Sequence, residues 1–125
     1  DVLSVNLRMS EATRGIITAA DLAQMKPTAL IVNTSRADLF APGVLVDALK
    51  KGRPGYAATD VYENEPVQSG DHPLLKMPNV ICTPHTAWLE PTTYEMYFGE
   101  AFEQAAAFAA GKAVKLLNPD VKPRQ

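Results

Sequence analysis

Apolar positions along this chain change period several times, and the changes lay out alternating strands and helices. Val2–Leu7 is a short run rich in branched residues that gives way to the polar stretch Arg8–Thr13, which predicts a strand followed by a loop. Thr18 and Asp21 have the spacing of a capping box, in which the threonine hydroxyl accepts from the Asp21 amide while the Asp21 carboxylate reaches back. The short helix it opens would bury Leu22 and Met25 and stop at Pro27. Ala29–Asn33 is a continuous apolar run of the kind covered on both sheet faces. After a loop at Thr34–Ala41, Pro42 suits the first turn of a helix reaching about Lys51. Val44, Leu45, Ala48 and Leu49 share one face of that helix, and Gly52 is a natural stop.

The second half continues the alternation. Tyr56–Tyr62 and Val80–Thr83 read as strands, joined by the proline-punctuated segment Glu63–Pro78, with at most a turn of helix at Leu74–Lys76. A long alanine-rich helix is predicted from about Pro91 to Ala110, ended by Gly111, with Met96, Phe98, Phe102, Ala105, Ala106 and Ala109 as a buried stripe. The tail Leu116–Gln125 is expected to be extended or loose. Strand runs separated by helices require parallel crossovers, so the fold class is α/β.

Composition narrows the picture mainly by exclusion. The 125 residues suffice for one core, and 46% hydrophobic with 21% charged residues is ordinary globular composition. A net charge of −2 offers no electrostatic footprint for nucleic acid or an anionic membrane. No apolar run approaches the roughly 20 residues that cross a bilayer. The single cysteine, Cys82, forms no internal disulfide, and together with the absence of a signal-like start it suits a cytoplasmic protein. The chain begins at Asp1 and reads as a piece of something longer.

Ligands of open parallel sheets bind beyond the carboxyl ends of the strands, so the residues after each strand are the candidates for chemistry. They are Leu7-Arg8-Met9, Thr34-Ser35-Arg36, Asp60 through Glu65, and Pro84-His85. Arg36 could offer a forked donor to a substrate carboxylate, or simply neutralise a neighbouring carboxylate. His85 could be an acid/base or a satisfied structural histidine, whereas His72 is expected at the surface or in a cap. Glu63 and Glu65 are both placed to pair with a histidine, an arrangement that favours the charged imidazole. Asp60 could accept from an amide ligand or cap a loop, and Trp88 fits core or interface as well as a stacking platform. Two histidines without cysteine partners argue against zinc, so no metal is expected. There is no nucleophile–base–acid arrangement and no Gly-rich phosphate loop.

Four segments, taken in order, resemble a known family. Ala29-Leu-Ile-Val-Asn-Thr-Ser-Arg36, Asp60-Val-Tyr-Glu-Asn-Glu-Pro66, His72-Pro-Leu-Leu and Pro78-Asn-Val-Ile-Cys-Thr-Pro-His85 resemble the D-isomer-specific 2-hydroxyacid dehydrogenases, and Asp1–Ile17 looks like the segment crossing their nucleotide site. The match runs over roughly residues 1–90.

The resemblance implies the C-terminal half of a Rossmann-type, doubly wound parallel sheet of about four strands, without its first strands and Gly-rich turn. Residues 1–90 would be that half-domain, and 91–125 a helix and tail returning toward a substrate domain. The implied activity is hydride transfer between NAD(H), or NADP(H), and a D-2-hydroxy acid/2-oxo acid at a CH–OH donor. Arg36 would bind the substrate carboxylate and 2-oxo group, His85 would be the acid/base, and Glu65 would hydrogen-bond His85 and keep it protonated. Asp60 would take the nicotinamide carboxamide, with Leu7, Thr34, Ser35, Arg36 and the chain at His85, Ala87 and Trp88 around the nicotinamide. The partner would be a small 2-oxo acid, and the full-length protein a homodimer.

Departures from the family pattern are Arg8 after the first strand, where a proline is common, and Ala37 and Ala87-Trp88 where small glycine-containing pairs are usual. With the central strand missing, Val2–Leu7 would be an exposed apolar edge, and the chain alone is expected to be inactive. Two other readings stand beside the dehydrogenase: an NAD-sensing module of the corepressor type, and a half-domain that self-associates through its open edge. NAD-dependent dimerisation without turnover would mark the first, and the mass of the chain in solution the second.

Overall fold

In the computed structural model, which describes residues 1–120, four strands lie side by side in the order they occur in the chain. They are β1 (Val2–Val5), β2 (Leu30–Asn33), β3 (Tyr56–Thr59) and β4 (Val80–Cys82), and every adjacent pair is parallel. The helices are α1 (Ala19–Ala23), α2 (Val44–Lys50) and α3 (Pro91–Ala109), with 3-10 turns at Ala37–Leu39 and Pro73–Lys76. The α/β sheet with parallel strands expected from the pattern is therefore the observed architecture. Its register matters most for function. Val5 pairs with Asn33, Asn33 with Thr59, and Thr59 with Cys82, so all four strands end in one row. Whatever follows each strand is delivered to the same edge.

The two predicted crossover helices pack together and supply the core. Leu22 of α1 is fully buried, and Leu45, Ala48 and Leu49 of α2 join Val5, Ile31, Leu39, Phe40, Ala57 and Leu74 in one cluster. The predicted capping box is present: the Thr18 hydroxyl accepts from the Asp21 amide, and the Asp21 carboxylate accepts from the Thr18 amide at 2.9 Å. Gly55 has a steric reason to be glycine. A Cβ there would sit 1.8 Å from the Pro27 carbonyl oxygen, at the point where the chain enters β3.

Several boundaries differ from the periodicity reading. β1 stops at Val5 because Asn6 folds back, its amide donating to the Ser4 hydroxyl at 2.9 Å. β3 stops at Thr59, whose hydroxyl donates to the Val61 carbonyl at 2.9 Å and turns the chain. Pro42 lies ahead of α2 instead of within its first turn, and Gly43, at φ 75°, is the N-cap. The apolar run of β1 does form an exposed edge, with Val2 at 66% and Leu3 at 44% accessibility.

The chain divides into two compact units, Asp1–Ala87 and the segment from Trp88 onward. Within the second unit the Glu90 carboxylate caps α3 by accepting from the Thr92 and Thr93 amides, and Gly111 follows the helix with φ 73°. The stripe predicted to be buried is not: no residue of α3 is buried, and Phe102 is 72% exposed. An apolar stripe states a preference for cover, while burial requires a second surface. Residues 112–120 form neither helix nor strand, and the rest of the expected loose tail lies outside the described residues. Among the described residues no helix is long and apolar enough to cross a membrane.

Candidate active site

The row of strand ends carries three linked turns. At β2, Asn33 is only 2% exposed, and its side chain does what a backbone turn would do. Its Nδ2 donates to the Arg36 carbonyl and its Oδ1 accepts from the Ser35 amide, both at 3.0 Å. The Ser35 hydroxyl donates to the Leu7 carbonyl at 2.6 Å and so ties this turn to the one after β1. Arg36 donates from Nη1 to the Ser35 carbonyl at 2.7 Å, and its side chain is exposed at the lip of the sheet. Arg8, Met9, Ser35 and Arg36 line one open cavity of about 300 Å³.

At β3, Asp60 is buried, with 2% accessibility, and its carboxylate gathers donors from the segment after β4. Oδ1 accepts from the Thr83 hydroxyl and from the Thr86 amide at 2.9 Å; Oδ2 accepts from the Ala87 amide at 2.8 Å. Burial pushes this carboxyl up, but the bonds from Thr83, Ala87 and Thr86 and the charge of His85 outweigh it and hold Asp60 below its ordinary 3.8. Two residues on, the Tyr62 hydroxyl donates to the Thr83 carbonyl at 2.9 Å and the Tyr62 amide donates to Glu65 Oε1 at 2.7 Å. Burial, a bond with Cys82 and the nearby carboxylates push the Tyr62 phenol up, so it stays a neutral donor.

Glu65 and His85 meet where these turns converge. Glu65 Oε2 lies 2.5 Å from His85 Nδ1, with side-chain accessibilities of 30% and 36%. Burial raises the Glu65 carboxyl, yet the His85 and Tyr62 hydrogen bonds, together with the charges of His85 and Arg36, bring it below 4.5. An ionised carboxylate only accepts, so Nδ1 carries the proton of this bond. His85 itself adopts φ 56°, a left-handed conformation uncommon for any residue with a Cβ. Tyr62, Cys82, Glu65 and His85 border a further cavity of about 490 Å³.

Of the residues singled out by sequence, Leu7, Ser35 and Arg36 are joined by hydrogen bonds, Arg36 acts on Glu65 through its charge, Glu65 bonds His85, and Asp60 bonds the Ala87 amide. Thr34 is exposed directly after β2. Trp88, the first residue of the second unit, is 47% exposed. The residue types alone do not choose between the two glutamates and the resemblance favours Glu65; in the structure Glu63 pairs with His72 at 2.8 Å, and Glu65 with His85. His72 caps a turn as expected, its Nδ1 accepting from the Leu74 amide. Sequence reasoning passed over Asn33, Tyr62 and Thr83. Asn33 did carry a signal, since a polar residue closing a fully apolar strand run requires a buried partner.

Comparison with known proteins identifies the family of the domain. Residues 1–87 match the D-isomer specific 2-hydroxyacid dehydrogenase, NAD binding domain. A glyoxylate reductase from Aeropyrum pernix is 40% identical over all of this chain, which covers 38% of that protein. Among solved structures, a Ralstonia solanacearum oxidoreductase provisionally assigned as a D-3-phosphoglycerate dehydrogenase is 55% identical. It superposes with a TM-score of 0.87 over 95% of this chain and 35% of its own. The D-lactate dehydrogenase of Lactobacillus jensenii, solved with NAD+, is 25% identical with a TM-score of 0.75, over 99% of this chain and 40% of its own. The chain thus spans little more than a third of the length of the relatives it matches. By its family match over residues 1–87 and its four-stranded parallel sheet, the chain belongs to the D-isomer specific 2-hydroxyacid dehydrogenases, within their NAD binding domain.

Proposed function

We propose that this chain carries the acid/base and substrate-carboxylate groups of an NAD-dependent dehydrogenase that interconverts a D-2-hydroxy acid and its 2-oxo acid. The observation that carries the reading is the Glu65–His85 pair at the strand-end row, with the Arg36 charge acting on it. β2 and β4 are two strands apart, about 10 Å at ordinary strand spacing, a gap that an arginine side chain and a small 2-oxo acid can span. Arg36 pairs with the carboxylate through its planar guanidinium. With Nδ1 engaged by Glu65, His85 Nε2 passes the proton to the 2-oxo oxygen during reduction and takes it back during oxidation. The guanidinium and the imidazolium both oppose the negative charge that develops on that oxygen.

The residues fit the nicotinamide end of the cofactor. A carboxylate has about four acceptor positions, and three of those on Asp60 are occupied by this chain's own donors, leaving one suited to an amide N–H. Leu7, Thr34, Ser35 and the chain at His85 and Ala87 stand along the same edge, and Trp88 follows directly. The sequence contains no Gly-x-Gly-x-x-Gly turn, so the fit concerns that end alone. The bound nicotinamide would supply or accept the hydride. A dimeric, cytoplasmic enzyme is the setting that suits this reading.

The test is NADH oxidation with glyoxylate and hydroxypyruvate, followed by absorbance, in the protein encoded by the complete reading frame. Turnover is expected, and Arg36→Ala should lower kcat/KM by about 10²-fold or more, the loss of a charge-assisted pair. Undiminished turnover in Arg36→Ala would reject the assignment.

A further inference from the structure

His85 sits in a conformation that its own backbone disfavours. At φ 56° its Cβ crowds the following carbonyl, a strain that persists only where the surroundings enforce it. Part of those surroundings is one side chain that reaches both sides of the histidine. Asp60 accepts from the Thr83 hydroxyl, two residues before His85, and from the Thr86 and Ala87 amides, the next two residues after it. A single carboxylate therefore grips the chain on both sides of the histidine. It does so from the end of β3, one strand away and 2% exposed, where the sheet allows it little movement. Burying a charge is costly unless donors satisfy it, and three donors do so here.

We propose that Asp60 is a positioning residue, whose buried carboxylate holds the Thr83–Ala87 turn so that His85 keeps its left-handed backbone and presents Nδ1 to Glu65. The inference rests on the reading of His85 as the acid/base, and it gives Asp60 a task separate from contact with the cofactor. An amide of the same shape cannot perform it. Asparagine has one acceptor oxygen, and its NH2 group would face an N–H donor of Thr86 or Ala87. The turn would lose a bond and gain a donor–donor clash although the side-chain volume is unchanged.

The experiment is Asp60→Asn in the protein of the complete reading frame, read in two ways. Amide hydrogen exchange without cofactor should accelerate at Thr86 and Ala87 by about 10-fold or more, while β2 and β3 keep their protection. In steady-state kinetics, kcat should fall by about 10²-fold, a larger change than the rise in the KM for NADH that loss of an amide contact would bring. Unchanged exchange at Thr86 and Ala87 would overturn the proposal, as would a KM for NADH raised about 10-fold at near-normal kcat, the pattern of a cofactor-contact residue. If Asp60→Asn does not fold, Thr83→Val removes one donor and keeps the carboxylate. Exchange there should rise about 3-fold with a matching drop in kcat, and no change in either would count against the clamp. A wild-type protein without turnover on any 2-oxo acid would reject the dehydrogenase reading, and the exchange measurements would then decide on Asp60 alone.

Discussion

Two histidine–glutamate pairs lie in this chain, and the contrast between them shows what makes a site. His72 and Glu63 meet at 2.8 Å, His85 and Glu65 at 2.5 Å, so bond length does not separate them. Their settings do. The His72 side chain is 15% exposed, stacks edge-on against Tyr62 with ring centroids 5.1 Å apart, and spends Nδ1 on capping a 3-10 turn. Both ring nitrogens are committed to local structure. His85 stands at the row of strand ends, on a strained backbone held by a buried carboxylate, with the charge of Arg36 acting on its glutamate partner. A rigid support aimed at an open edge turns a common pairing into a candidate acid/base.

The largest expected effect falls on one pair only. His85→Asn should lower kcat by about 10²–10⁴-fold in the assay above, the usual contribution of a positioned proton donor, while His72→Asn should leave kcat within about 2-fold. Equal losses in both variants would dissolve the distinction. Next, Glu65→Gln should reduce kcat by about 10–100-fold because the partner that orients His85 loses its charge, whereas Glu63→Gln should be close to neutral. The smallest effect is on stability. His72→Asn should cost about 0.5–1.5 kcal/mol of unfolding free energy in a denaturant titration, the scale of one local hydrogen bond.

Acid tests the His85 side of the comparison. Glu65 and Asp60 both have carboxyls held below their ordinary values of 4.5 and 3.8 when folded. A carboxyl depressed by folding stabilises the native state above its unfolded pKa and loses that contribution as pH falls through the folded value. Thermal midpoints should therefore hold from neutral pH to about 5 and drop below about 4, with a shallower drop in Glu65→Gln. An identical acid limb in the variant would show that Glu65 contributes nothing to it.

Much of the half-sheet was legible because local forces agree with one another there. The capping box at Thr18–Asp21, the apolar run of β2 and the amphipathic face of α2 each read as they fold. Strand ends were less legible. Asn6 and Thr59 stop β1 and β3 through their own side-chain hydrogen bonds, which hydrophobic period does not register. The stripe of α3 misled for the opposite reason, since periodicity describes a face without specifying what lies against it. At the site, Arg36, Glu65 and His85 were nameable from the strand-end rule and a family resemblance. Asn33, Tyr62 and Thr83 were not, because they act on the backbone of other segments.

The sequence by itself determined the order of strands and helices, the parallel crossovers they require, and hence which residues follow each strand. Those properties depend on neighbours three or four positions away or on turn chemistry, and a single chain displays them. Only the tertiary structure decided that Glu63 turns to His72, that Asp60 grips the chain on either side of His85, and that no residue of α3 is buried. These depend on contacts between residues 9 to 27 positions apart that no local pattern specifies, or on what lies against a helix face. Strand register sets such contacts, and composition and period leave register unspecified.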